Sequence, residues 1–182
     1  MNTTAIIPMR PAGRFLANLP GWTWQTKIDD ERAVMRTRDG ALFNRHAQSL
    51  ERRKAASFGP VCEVLRAEFG AHEWLDLGLI GWRDSVTFLQ SRGAVIVFDL
   101  PGGESWAVRR AKFAHLPVLD LIAGDVPRAG APYRFADFSD AVALFGRTRG
   151  TSGLEGVVGR NDLAPYIYGD SQQMSKARWK RG

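Results

Sequence analysis

The stretch spanning residues 22–29 constrains the fold more than any other, because two sets of residues alternate through it. One set is Trp22, Trp24, Thr26 and Ile28, and the other is Thr23, Gln25, Lys27 and Asp29. Successive side chains of a β-strand point to opposite faces, so the alternation predicts a strand with one buried face and one polar face. Lys27 would lie on the polar face between Gln25 and Asp29. A lysine fixed on a strand among polar groups is a candidate nucleophile.

Apolar runs bounded by turn residues predict further strands along the chain. These strands are expected at residues 33–37, 41–45, 74–82, 94–100, 154–159 and 175–181. The dipeptide Asp39-Gly40 is a turn signal that would join the first two of them as a hairpin. The segment 1–21, which is punctuated by proline and glycine, is expected to be a leader that precedes the first strand.

Helical spacing of apolar residues predicts helices over residues 51–69 and 108–122. A third, short helix would be capped by Ser139 and would bury Val142, Leu144 and Phe145. A connector rich in glycine and proline is expected over residues 124–132. Strands and helices mix without strict alternation, which predicts an α+β fold with mainly antiparallel sheets flanked by helices.

The composition limits the class of protein and its partners. The 182 residues are 45% apolar and 24% charged, which is typical of a single globular domain spanning residues 1–182. A net charge of +6 favours polyanionic partners such as nucleic acid. The single cysteine, Cys62, excludes an internal disulfide and a cysteine-based zinc site. No apolar run reaches the length of a membrane span, so a soluble cytoplasmic protein without a membrane partner is expected.

The run Lys27-Ile28-Asp29-Asp30-Glu31-Arg32 resembles motif I, lysine-x-aspartate-glycine-x-arginine, of the covalent nucleotidyltransferases. This superfamily includes ATP-dependent DNA ligases, RNA ligases and mRNA capping enzymes. Lys27, Asp29 and Arg32 match the motif, whereas Asp30 stands where the family usually has glycine. The resemblance implies that Lys27 carries AMP covalently and that Asp29 and Arg32 bind the nucleotide. Gln25, where the family more often has glutamate, would bond the edge of the purine.

Two later segments resemble further motifs in the order that the family has them. Arg45, in Asn44-Arg45-His46, stands at motif Ia, which implies that it holds a phosphate of the nucleic acid. Phe98, in Val97-Phe98-Asp99-Leu100, stands at motif IIIa, whose aromatic ring stacks on adenine.

The C-terminal part of the chain resembles motifs IV and V. Glu155, in Leu154-Glu155-Gly156-Val157-Val158, would face the nucleotide and help to bind Mg²⁺, which prefers carboxylate oxygens and phosphate ligands. Lys176 and Arg178 stand where motif V has lysine-x-lysine and would contact the α-phosphate as catalytic cations. Their period-two spacing matches that of Gln25 and Lys27, so both pairs are expected to point at one face.

The resemblance implies an ATP-grasp-like ligase adenylation domain of the nucleotidyltransferase fold, with ATP and Mg²⁺ as cofactors. Lys27 would attack ATP to form a lysyl-adenylate, and AMP would then pass to the 5′-phosphate of a nick. The 3′-hydroxyl would displace AMP and seal the strand. Nicked DNA is the expected partner, because Ala164-Pro165-Tyr166 resembles a DNA ligase loop. An enzyme of this kind would act in DNA repair or replication.

Two alternatives stay open. The compact spacing of the motifs is compatible with an RNA ligase, and three departures from the family are compatible with a degenerate nucleotidyltransferase that only binds nucleotide or nucleic acid. Gly78 occupies the position of the motif III glutamate, for which Glu73 or Asp76 could substitute. Asp170 stands where many DNA ligases have arginine. No C-terminal oligonucleotide-binding (OB) domain follows motif V, so weak sealing alone is expected, with an OB-fold or clamp partner in trans, or a dimer, completing the clamp.

Overall fold

A computed structural model describes residues 5–13, 17–50, 52–80, 94–116, 128–130, 134–135, 138–149 and 154–179. Within them the chain forms two five-stranded sheets with three flanking helices. The strands are β1 (Arg10–Gly13), β2 (Trp22–Ile28), β3 (Glu31–Arg36), β4 (Ala41–Asn44), β5 (Trp74–Ile80), β6 (Ala94–Asp99), β7 (Arg128–Gly130), β8 (Arg134–Phe135), β9 (Leu154–Asn161) and β10 (Asp170–Arg178). The helices are α1 (Arg52–Phe69), α2 (Trp106–Ala111) and α3 (Phe138–Thr148). The α+β class and the largely antiparallel sheets are as the sequence predicts.

The first sheet has the strand order β1-β10-β9-β2-β8 and is antiparallel except for the pair β1 and β10. Its centre is the pairing of β2 with β9, two strands that lie far apart in the sequence. Trp24 of β2 lies over Gly159 of β9, and a Cβ on that glycine would come within 2.8 Å of the indole. Trp24 also packs with Ala141 of α3, so this helix covers one face of the sheet.

The second sheet has the order β4-β3-β5-β6-β7, and β6 and β7 run parallel. One face carries the main apolar core, in which Phe58 and Leu65 of α1 pack against Leu77 of β5 and its neighbours. Trp106 of α2 closes the same core. Burial of this surface is the dominant favourable term for the domain.

A buried ionic cluster links the two sheets to α2. The carboxylate of Asp99, at the end of β6, accepts a hydrogen bond from Arg109 Nε at 2.7 Å and also pairs with Arg160 Nη1 of β9. All three side chains are at most 1% exposed. Because a buried charge is costly without a partner, this cluster fixes how β9 and α2 meet the end of β6.

Several expectations about local structure are wrong. The predicted leader contains β1, which extends the first sheet, and Met9 beside it is buried in a cluster with Tyr166. The predicted connector contains β7. Val142 of α3 is exposed instead of buried, and Ala141 takes the buried position.

The remaining predicted elements overlap those observed, with two errors. The predicted helix 108–122 is wrong over residues 112–116, because α2 begins at Trp106, ends at Ala111 and is followed by turns. Ser139 lies inside α3 and does not cap it. The predicted strand 175–181 begins earlier, at Asp170. Beyond them, 81–82, 117–122 and 180–181 lie outside the described residues. The side chain of Leu144 and the predicted loop 150–153 do as well. No helix in the described part of the chain is long and apolar enough to span a membrane.

Candidate functional site

A cleft of about 550 Å³ lies where the two sheets meet. One wall comes from β2, β9 and β10, and the opposite wall comes from β3, β6 and the turn after β4. Most of the residues that the motifs single out line it: Gln25, Lys27, Arg32, Arg45, Phe98, Glu155, Lys176 and Arg178. Asp29 does not line the cleft; it is buried just after β2 ends, and its neighbours Asp30 and Glu31 line the cleft instead.

The register of the first sheet explains why distant residues share one wall. Gln25 of β2 lies opposite Val158 of β9, and Val158 lies opposite Lys176 of β10. Lys27 lies opposite Gly156, which in turn lies opposite Arg178. Residues in register across a sheet point to the same face. The sheet therefore places the four polar side chains in two adjacent rows on the cleft face.

A β-bulge brings Glu155 onto this face. Lys27 pairs with Gly156 and Ile28 pairs with Leu154, so Glu155 is the extra residue of β9 at this step. An inserted residue re-aims a side chain that regular pleating would turn away. Gly156 permits the bulge because its φ of 143° belongs to glycine and because a Cβ there would lie 2.1 Å from the carbonyl oxygen of Ala177.

The bulge forms an ion pair at the floor of the cleft. Lys27 Nζ contacts Glu155 Oε2, and the two side chains are 19% and 15% exposed. Lys27 Nζ also lies 3.4 Å from the carbonyl oxygen of Ile28. A lysine and a carboxylate so arranged keep each other oriented while both stay accessible from the cleft.

Gln25 carries an unpaired polar atom into the site. Its side chain is 3% exposed, and its Oε1 has no hydrogen-bond partner among the described residues. Buried amide oxygens are nearly always hydrogen-bonded in folded proteins. An unpaired acceptor in the wall of a cleft is therefore a place where a donor from a bound molecule fits. The polar face of β2 is thus buried in the cleft wall and does not face open solvent.

Arg32 is held by a carboxylate on the neighbouring strand. Asp76 of β5 accepts hydrogen bonds from Arg32 Nε and, at 2.5 Å, from Arg32 Nη2. Tyr166 Oη donates to the same carboxylate at 2.6 Å and accepts a hydrogen bond from the backbone N–H of Met9. Burial and the Asp76 carboxylate raise the pKa of Tyr166 well above its usual value, so it stays a donor. Burial alone would lower the pKa of Arg32, but Asp76 raises it, so Arg32 stays charged.

The place of the missing motif III carboxylate is occupied. A Cβ on Gly78 would lie 2.5 Å from Cε2 of the Phe98 ring, and the Arg32 guanidinium lies 4.8 Å from the centre of that ring. Neither suggested substitute fits the role. Asp76 is fully buried and bound to Arg32 and Tyr166, and Glu73 is exposed and lies outside the cleft lining.

Two further arginines, Arg45 and Arg160, line the cleft. Arg45, predicted at the end of the hairpin, is exposed at the cleft mouth, where its Nε lies 3.1 Å from His46 Nε2. Arg160 is a lining residue that the motifs do not single out, although it continues the alternation of Gly156 and Val158 along β9. Burial lowers the pKa of Arg160, whose Nε and Nη2 have no hydrogen-bond partner among the described residues.

The described residues of the cleft could hold Mg²⁺ only together with ligands from a bound substrate. No group of three or more histidine, cysteine, aspartate and glutamate side chains in the described part of the chain could hold a metal ion. Glu155 does offer a carboxylate in the lining. Since Mg²⁺ is commonly held by one or two carboxylates together with substrate phosphates, this donor set suits a metal that arrives with a nucleotide.

Comparisons with known proteins identify the fold. No family model and no curated protein matches the chain. The ligase domain of LigD from M. tuberculosis superposes with a TM-score of 0.66 at 18% identity, over 95% of this chain and 59% of that one. A mycobacterial DNA ligase D complexed with ATP gives 0.63 at 18% identity, over 95% of this chain and 60% of that one. The Chlorella virus DNA ligase-adenylate superposes with a TM-score of 0.60 at 14% identity, over 96% of this chain and 69% of that one.

The likeness establishes a shared architecture. The chain has the nucleotidyltransferase fold of ATP-dependent DNA ligase adenylation domains, as the resemblance to motif I predicts. It spans 59% of the length of the LigD ligase domain.

Proposed function

We propose that this chain is an ATP-dependent polynucleotide ligase, acting on DNA, whose Lys27 carries AMP. The observation that carries the proposal is the pair of rows on the first sheet: Gln25, Lys27, Lys176 and Arg178 line one wall of a cleft of nucleotide size, and the bulge adds Glu155 beside Lys27. The superposition on a DNA ligase complexed with ATP supports the choice of nucleotide.

The purine would bind near Gln25 and Phe98. The unpaired Oε1 of Gln25 is an acceptor that suits the exocyclic amino group of adenine. Phe98 lines the cleft and offers a ring on which a purine can stack, an interaction worth about 1–3 kcal/mol by analogy with base stacking. Since Arg32 lies over one side of this ring, the purine would take the remaining area of it.

The phosphates would meet the cations of the cleft. On β10, Arg178 lies in the row of Lys27 and Lys176 lies in the adjacent row, and cations placed there would stabilise the charge that develops on the α-phosphate. Arg32 is kept charged by Asp76 and would add to this field. Glu155 would hold Mg²⁺ beside the phosphates, and the ion, when bound, neutralises phosphate charge.

The first chemical step is nucleotidyl transfer to Lys27. The amine must leave its ion pair with Glu155 and give a proton to solvent, because only the free amine is a nucleophile. Nζ then attacks the α-phosphorus; a P–N bond forms while the P–O bond to the leaving pyrophosphate breaks. AMP next passes to the 5′-phosphate of a nick, and the 3′-hydroxyl displaces it to join the strand.

Binding of the nick would rest on charge. The chain has a net charge of +6, and Arg45 is exposed at the mouth of the cleft, where its guanidinium can bond a phosphate bidentately. Such contacts fix the position of a duplex without reading its sequence, and they weaken as salt rises.

The direct test is transfer of label from α-labelled ATP to the denatured protein in the presence of Mg²⁺. Label should map to the peptide containing Lys27, and Lys27→Ala should abolish it. Lys112→Ala is the matched control, because Lys112 pairs with Glu104 at the surface, outside the cleft lining. Equal labelling of the Lys27 variant would contradict the proposal. Nicked DNA and nicked RNA, offered to the labelled protein, then distinguish a DNA ligase from an RNA ligase.

A second candidate, a protein that binds ATP without reacting, has one observation in its favour. The Phe98 ring fills the space that a side chain at position 78 needs, so the motif III carboxylate cannot come from that strand position. Tight ATP binding by an unlabelled wild-type protein would support this alternative.

A further inference from the structure

The surroundings of Gly78 contain a second group besides the Phe98 ring. A Cβ on Gly78 would lie 2.7 Å from Phe98 Cζ and 2.9 Å from Oδ2 of Asp30. The carboxylate of Asp30 therefore already lies where a side chain from position 78 would begin. Asp30 lines the cleft, as does Phe98.

The topology explains how Asp30 reaches this point. Asp30 lies in the short connection between β2 and β3, and so it belongs to the crossing from the first sheet to the second. The next residues pair with β5, Glu31 with Leu79 and Arg32 with Gly78. The connection thus passes over the end of β5, and an acidic side chain on it covers the glycine.

We infer that Asp30 is a specificity residue that binds the ribose hydroxyls of ATP, supplying from the β2–β3 connection the carboxylate that position 78 lacks. This inference rests on the proposed function, because it needs ATP in the cleft. A purine stacked on Phe98 would carry its ribose towards this carboxylate, because Asp30 and Phe98 both border the position above Gly78. A carboxylate can accept hydrogen bonds from both vicinal hydroxyls, and bonds to a charged acceptor are the strong kind.

The negative charge of Asp30 favours the ribose, and not the phosphates, as the part of ATP that it binds. A carboxylate next to a triphosphate pays like-charge repulsion, whereas ribose hydroxyls are neutral donors. The cleft cations Lys176 and Arg178 lie on β10 of the first sheet, on the wall opposite Phe98. With the purine between Phe98 and Gln25, the sugar would lie beside Asp30 and the phosphates nearer to Lys27, Lys176 and Arg178.

The test compares ATP with 2′-deoxy-ATP and 3′-deoxy-ATP in wild type, Asp30→Ala and Asp30→Asn. Binding is measured by titration, and labelling of Lys27 is measured in parallel. Wild type should prefer ATP to the deoxynucleotides, and both variants should lose about tenfold in ATP affinity, the weight of one good charged hydrogen bond. The affinity of both variants for 2′,3′-dideoxy-ATP, which lacks both hydroxyls, should equal that of wild type. Asp39→Asn is the control, a hairpin carboxylate paired with Arg36 outside the cleft lining.

The outcomes separate this inference from the proposed function. If wild type is labelled at Lys27 and the Asp30 variants discriminate between ATP and the deoxynucleotides as well as wild type does, the inference fails and the proposed function stands. A changed Mg²⁺ requirement with unchanged sugar discrimination would also overturn it, by making Asp30 a metal ligand. If wild type neither binds ATP nor takes label, both fail. Thermal unfolding of each variant identifies any loss that is due to misfolding.

Discussion

Lys27 Nζ contacts Glu155 Oε2 because Glu155 is the extra residue of a bulge and not because the two residues are in register. The contact joins the proposed nucleophile to the proposed metal ligand. Both side chains are less than one-fifth exposed, so the pair also contributes to the shape of the cleft floor.

Glu155→Gln should reduce labelling of Lys27 by about a hundredfold, the usual loss when one preorganised charged group is removed from a site. The fold should survive, because the amide can still accept a hydrogen bond from Lys27. The measurement is the initial rate of label transfer, with circular dichroism to confirm folding. Unchanged labelling would remove Glu155 from the catalytic set.

Gln25→Leu should weaken ATP binding without weakening the fold. The substitution removes a buried acceptor that has no partner among the described residues, so the free energy of unfolding should stay equal or rise. ATP affinity should fall by about tenfold, the equivalent of one hydrogen bond. Isothermal titration and chemical denaturation on the same preparation give both quantities. A loss of stability with intact ATP binding would make Gln25 a structural residue.

Phe98→Ala should cost about 3–5 kcal/mol of stability, because the ring is only 5% exposed and packs with Ile28 and Ile96. Phe98→Leu is the better probe, since it keeps an apolar side chain over Gly78 and removes the stacking surface. It should fold and bind ATP more weakly; binding at the wild-type level would leave Phe98 as core alone.

Gly156→Ala should destabilise the protein by more than about 3 kcal/mol, through both a strained φ and a clash with the backbone of β10. Gly103→Ala is the control, because a Cβ there meets nothing within 4 Å. It should change stability by less than about 0.5 kcal/mol, as surface substitutions do. Urea denaturation of both variants provides the comparison, and equal stabilities would contradict the bulge geometry.

Cys62 should resist alkylation in the folded protein up to high pH. Burial raises the pKa of this thiol from 9.0 to about 11, so at pH 8 the thiolate fraction is on the order of a hundredfold below that of an exposed cysteine. Because the pKa of the thiol is higher in the folded than in the unfolded protein, the protonated thiol favours the folded state. This contribution to the free energy of unfolding is complete below pH 9 and is lost as the pH rises towards 11. Iodoacetamide labelling against pH, in native buffer and in urea, checks it. Rapid native labelling at pH 8 would contradict the burial of this side chain.

Local patterns in the sequence predict the central strands and much of the site. The alternation through residues 22–29 and the Asp39-Gly40 turn are local signals, and both elements are observed. The period-two spacing of Lys176 and Arg178 likewise predicts a shared face, because neighbouring strands in register present alternate residues together. The resemblance to motifs I and V is what selects Lys27 and Lys176, and the spacing then predicts that their side chains share a face.

Other features depend on non-local pairing that no local pattern carries. The bulge at Glu155 arises only when β9 meets β2, and the pairing of Arg32 with Asp76 arises only when β3 meets β5. Asp29 was expected on the polar face, but β2 ends at Ile28 and the turn that follows brings Asp30 to the cleft instead. Strand registers, and not residue types, decide these positions.

The parallel pairing of β1 with β10 has a consequence for how the chain folds. Arg10 lies beside Asp170, and Gly13 lies beside Ser175. The first strand in the sequence can therefore pair only when the last strand described is available. During synthesis, β1 therefore leaves the ribosome long before its partner exists, and the first sheet can be completed only after β10 has been made. Contacts between such remote residues slow folding, because the intervening loop must close before they form. The second sheet, whose hairpin β3–β4 and strand β5 are close in sequence, can assemble first and serve as the surface on which the cleft is later built.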